Sequence, residues 1–107
     1  MGEDFDLNSF IGIEPELKQE TTLKTPKMYR VIIHNDDYTT MDFVIRILIS
    51  VFHKPGAEAT SIMLDVHKKG AGICGVYTHD IAVTKINQVQ QMASQKEFPL
   101  KCSLEEA

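Results

Sequence analysis

The sequence has no long apolar run, no basic patch, no paired metal-ligand spacing and no cofactor loop. A helix that crosses a bilayer needs about 20 consecutive apolar residues, and no such stretch exists, so no membrane association is expected. The first six residues, Met1-Gly2-Glu3-Asp4-Phe5-Asp6, are acidic and lack a basic segment followed by an apolar one. No signal peptide is expected, and the sequence predicts a cytoplasmic protein. Cysteine is scarce. Cys74 and Cys102 stand far apart, which in a reducing compartment predicts buried, inert thiols and not a disulfide. Neither Cys-x-x-Cys nor His-x-x-x-His occurs, so no metal site is expected.

What is present fits one domain. The chain has 107 residues, 43% of them hydrophobic, and a formal net charge of −4. The imbalance is local. Residues 1–26 hold six acids (Glu3, Asp4, Asp6, Glu14, Glu16, Glu20) and two bases (Lys18, Lys24), whereas residues 27–107 are neutral overall. Without a basic stripe, nucleic-acid binding is disfavoured. Residues 1–26 are acidic, show no sustained apolar period and end in Thr25-Pro26, which predicts a flexible extension. Phe5, Phe10, Ile11 and Ile13 leave room there for a short transient helix.

From Met28 the pattern sharpens. Met28–His34 is rich in β-branched and aromatic residues and reads as a strand. Asn35-Asp36-Asp37-Tyr38-Thr39 is turn chemistry. Thr39 is the expected N-cap of a first helix, with Asp42 completing a capping box. Asp42, Arg46, Ser50 and Lys54 form a polar stripe at spacing four, so the opposite face, including Met41, Val44, Ile47 and Leu48, is buried. Pro55-Gly56 ends that helix. A second helix runs from about Ala57 to Lys69, with Gly70 suited to a left-handed cap. Ala71–Tyr77 reads as a strand whose glycines suggest close approach of neighbouring backbone. Thr78 is the expected cap of a third helix reaching about Lys96. A final strand is expected over Phe98–Leu104, with Pro99 near its start. The order β-α-α-β-α-β predicts an α/β (α+β) domain, a three-stranded sheet with the helices packed on one side.

Two segments carry candidate chemistry: the polar turn after the first strand, and His67 on the second helix. Met63, Val66 and His67 fall at i, i+3 and i+4 and share a helix face. If the turn, Met41 and Val44 oppose that face, the result is an apolar cavity with acceptors at its mouth. Asn35 offers a carbonyl oxygen, Asp37 a carboxylate, and a neutral His67 a ring lone pair. Converging acceptors suit an ammonium, and an ammonium beside an apolar side chain describes the first residue of a polypeptide. The same residues also suit plainer roles: a turn, a histidine at a helix C-terminus, and a core-facing Met/Val stripe. An acid–base pair of His67 with Asp36 or Asp37 is a further alternative, although no nucleophile motif accompanies it.

Met28-Tyr29-Arg30-Val31-Ile32-Ile33, then Asn35-Asp36-Asp37-Tyr38-Thr39-Thr40-Met41-Asp42-Phe43-Val44, resemble the start of the ClpS family, adaptors of the bacterial Clp protease. Met63-Leu64-Asp65-Val66-His67-Lys68-Lys69-Gly70 and Ile73-Cys74-Gly75-Val76-Tyr77-Thr78 resemble its middle, and Phe98-Pro99-Leu100 its end. The likeness spans residues 27–107. It implies a compact domain similar to the C-terminal domain of the ribosomal stalk protein. It also implies no enzyme activity, no cofactor, and a monomer that recognises N-degrons, proteins beginning with Leu, Phe, Tyr or Trp. By position it assigns Asn35, Asp37 and His67 to the α-amino group, and Thr39, Met41, Val44, Met63, Val66 and Leu100 to the side-chain pocket. Met41 takes the place of the residue that excludes β-branched side chains. Tyr38, Asp80 and Lys85 fall where the family touches the N-terminal domain of the unfoldase ClpA, and residues 1–26 match the extension fed toward the unfoldase pore. Thr40 stands where the family commonly has proline, and Asp80 where it commonly has glutamate. The rival class is a general protein-interaction domain that needs no free amine.

Overall fold

The computed structural model describes residues 25–107. The extension expected over residues 1–26, with its transient helix, lies outside that range except for Thr25 and Pro26. The elements are β1 (Met28–His34), α1 (Met41–Ser50), α2 (Gly56–Lys69), β2 (Ala71–Thr78), α3 (His79–Gln95) and β3 (Lys101–Glu106). This is the order β-α-α-β-α-β that the sequence pattern predicts. The strands form one antiparallel sheet in the order β2-β1-β3, with β1 in the middle.

Alternation along β1 sets the two faces of the sheet. Val31 and Ile33 are fully buried toward the helices, while Arg30 and Ile32, which alternate with them, are less covered. Phe43, Val44, Ile47 and Leu48 of α1 join them in a single core, and Asp42, Arg46 and Ser50 stay exposed on the far side. Each fully buried Leu or Ile contributes roughly 1.5–3 kcal/mol, so the strand and helix stabilise each other through this contact. Opposite Val31 and Ile32, β2 places Gly75 and Ile73, leaving Cys74 as the extra residue of a bulge. Cys74 is completely buried. Cys102 pairs with Ile33 on the other side of β1. Two strand spacings therefore separate their backbones, roughly 9.5 Å, beyond the Cα separation a disulfide spans, and both cysteines are free. Burial pushes the Cys74 thiol far above its usual range, with Cys102 adding to the shift, and pushes Cys102 up to about 11.

Three boundaries differ from the sequence expectation. The N-cap of α1 is Thr40, whose hydroxyl accepts from the Phe43 amide at 3.2 Å; Thr39 is held elsewhere, as described below. The first helix ends at Ser50, before Lys54. His53 adopts a left-handed conformation (φ 56°) and the Lys54 amide turns back to the Leu48 carbonyl at 3.0 Å, closing the helix while Val51 and Phe52 remain buried. The last strand starts at Lys101, not Phe98. Glu97 (φ 60°) reverses the chain after α3 and sends the Phe98 amide to the Ala93 carbonyl at 2.9 Å. The Phe98 ring then packs edge-on against Phe43, with centroids 5.0 Å apart. Thr78 does occupy the N-cap of α3, but its side chain makes no capping hydrogen bond.

Candidate functional site

The turn after β1 is built around Asp36. One carboxylate oxygen accepts from the Tyr38 and Thr39 amides at 2.8 and 2.7 Å; the other accepts from the Thr39 hydroxyl at 2.7 Å. Partial burial by itself would raise the Asp36 pKa. The hydrogen bonds from Thr39 and Tyr38 outweigh it and hold the carboxyl below its usual value. Asp36 is thus occupied within the turn, whereas Asp37 is exposed beside it. Asp followed by Thr three residues on is a legible turn signature, and sequence reasoning passed over it by assigning Thr39 to the helix cap.

The other wall comes from the end of α2. Gly70 takes the left-handed conformation (φ 92°) that glycine permits, and its amide returns to the Val66 carbonyl. Its own carbonyl receives the Asn35 amide at 2.9 Å. This bond fastens the start of the turn to the last turn of α2, where His67 lies. Gly72 brings β2 against the same helix: a Cβ there would stand 2.7 Å from the Val66 side chain.

Together these elements enclose a cleft of about 380 Å³. Exposure separates its floor from its mouth. Val44, Met63 and Val66 are buried, at 6%, 7% and 3%. Asn35, Asp37, Tyr38, Met41 and His67 also line the cleft and are exposed. Thr39 lines it between them, along with Asp36 and Thr40, two residues absent from the sequence-derived set. Three acceptor-bearing side chains therefore share one mouth above an apolar floor. Leu100 is placed differently. It is buried in the general core and is not among the cleft residues.

The family described as ATP-dependent Clp protease adaptor protein ClpS matches residues 24–103. The chain belongs to the ClpS family. It is 62% identical over 106 residues to the ATP-dependent Clp protease adapter protein ClpS of Syntrophus aciditrophicus, covering 99% of both chains. It is also 62% identical over 91 residues to that of Acetivibrio thermocellus, covering 83% of this chain and 92% of the relative. Among solved structures, Agrobacterium tumefaciens ClpS2 bound to L-phenylalaninamide superposes with a TM-score of 0.74 at 32% identity, covering 78% of this chain and all of that one.

As a ClpS, the chain is a Clp protease adaptor and not an enzyme, and the acid–base alternative for His67 falls away. Among the described residues no helix is long and apolar enough to cross a membrane, and no group of three His, Cys, Asp or Glu side chains is placed to hold a metal ion. The residues expected at the unfoldase contact fall in two places. Tyr38 stands at the cleft, 75% exposed. Asp80 and Lys85 line a shallow depression on α3 with Ile81, Thr84 and Gln88. Lys85 also has an internal task. Its ammonium donates to the Val51 carbonyl at 2.8 Å and lies over the Tyr77 ring, 5.3 Å from the centroid. That ring folds back across Gly75, where any Cβ would collide with it. Lys85 thus joins α3 to the C-terminal end of α1, where a cation is favoured.

Proposed function

We propose that this ClpS holds proteins whose first residue is Leu, Phe, Tyr or Trp and delivers them to the N-terminal domain of a ClpA-type AAA+ unfoldase. In this reading the adaptor works as a cytoplasmic monomer. The observation that carries it is the cleft, with exposed Asn35, Asp37 and His67 over buried Val44, Met63 and Val66. The ligand in the A. tumefaciens structure supports it, because L-phenylalaninamide combines a free α-amino group, an aromatic side chain and an amide where the next peptide bond would begin.

Selection rests on two conditions met together. The floor favours a large apolar side chain, worth roughly 1.5–3 kcal/mol when fully buried. The mouth demands an ammonium, since an acetylated terminus or an internal residue would cover these exposed acceptors without supplying donors, at roughly 1–3 kcal/mol each. Internal leucines are therefore passed over. A titration of fluorescent Leu-initiated peptides, free and N-acetylated, tests this. Only the free form should bind, and Asn35→Ala and His67→Ala should each weaken it at least about tenfold with the circular dichroism spectrum unchanged. Equal binding of both peptide forms would instead mark a general protein-interaction domain. Ser-initiated peptides should not bind.

A further inference from the structure

We infer that Met41 is an oxidation site, and that its conversion to the sulfoxide closes the cleft to apolar side chains. This rests on the N-terminal-residue reading of the same cleft. Two methionines line the cleft, and they differ in access: Met41 is 45% exposed, Met63 only 7%. Thioether oxidation needs solvent access, so a peroxide reaches Met41 first. In the step, the sulfur loses two electrons to hydrogen peroxide. The O–O bond breaks, one oxygen bonds to sulfur, and the other leaves as water. The product carries a polar S=O group where the thioether stood, on a side chain that lines the same cleft as buried Val44 and Met63. An incoming leucine or phenylalanine side chain must then strip water from that oxygen without supplying a donor. The cost falls on the apolar contact, while the acceptors at the mouth are unaltered. A thiol-dependent sulfoxide reductase reverses the step, releasing water and leaving a disulfide on the reductant.

The molecule contains its own control. Met28 is 40% exposed and begins β1, whereas the turn bounding the cleft follows the other end of that strand. Treating the full chain with hydrogen peroxide and mapping the products by mass spectrometry should show Met28 and Met41 oxidised well before Met63. Affinity for a free Leu-initiated peptide should fall about tenfold in step with Met41 oxidation and return after sulfoxide reductase treatment. Met28→Leu should bind like the unaltered chain and keep the full response. Met41→Leu, measured against its own untreated baseline, should lose the response. Complete Met41 oxidation without loss of affinity overturns this inference alone, as does a response that survives in Met41→Leu. Failure of the untreated chain to bind the peptide overturns it together with the functional reading beneath it.

Discussion

Asp36 and Asp37 are adjacent carboxylates with separate tasks. Asp36 spends its acceptors on Thr39 and Tyr38, and Asp37 is exposed at the mouth of the cleft. Because folding depresses the Asp36 pKa, its contribution to stability is fully present above the usual carboxylate value near 3.8 and is lost as pH falls through the lower, folded value. Asp36→Asn keeps an acceptor for the amides but not for the Thr39 hydroxyl. It should lower stability by about 1 kcal/mol at neutral pH and flatten the decline below about pH 4, as read by urea melts across that range. Met41 is the second residue-scale case. Its exposed side chain stands over the cleft, and Met41→Ala should widen the mouth enough to admit Ile- and Val-initiated peptides; titrations showing no gain for them would remove Met41 as a gate. At this scale the sequence was informative about residue type. Asn35, Asp37 and His67 stand out in the sequence by their acceptors, and the fold brings all three to one cleft. It was less informative about Leu100, because an apolar residue suits a pocket wall and a core equally well, and only packing separates the two.

Among the elements, α1 shows how a local substitution is accommodated. Thr40, where the family resemblance leads one to expect proline, sits at φ −76°, close to the value proline imposes. The stiffness a ring would give is replaced by a hydroxyl that caps the Phe43 amide. Thr40→Ala should therefore cost about 1 kcal/mol, visible in thermal melts, and should also loosen the turn that shapes the cleft. The strands and helices were readable because their apolar periods are strong: two in β1, and 3.6 in the helix stretch through Phe43, Val44, Ile47 and Leu48. Their ends were not. His53 and Glu97 both adopt left-handed conformations that favour glycine or asparagine, and neither residue type announces a stop. Assigning the cap to Thr39 failed for a related reason. Two adjacent threonines can each cap a helix, and the choice was made by Asp36, which engages the first and leaves the second.

At the scale of the whole molecule, residues 25–107 contain the cleft, and an acidic stretch of sequence precedes them. Deleting residues 1–24 should leave affinity for a Leu-initiated peptide intact, because every cleft residue lies beyond them. In a degradation assay with ClpA and its peptidase, the same deletion should stop turnover of a Leu-initiated substrate. Unimpaired turnover would reduce the stretch to a spacer. Charge is the sequence signal that sets this stretch apart, since the entire excess of acid falls before residue 27.

The middle position of β1 has a mechanical corollary. Traction applied to β1 at Met28 would meet hydrogen bonds to β2 on one flank and to β3 on the other, down to His34. Both seams must give way before the strain reaches Asn35, roughly 20 Å farther along. If the adaptor works as proposed, a motor pulling from that side would load the central strand of the sheet before it loads the turn that bounds the cleft.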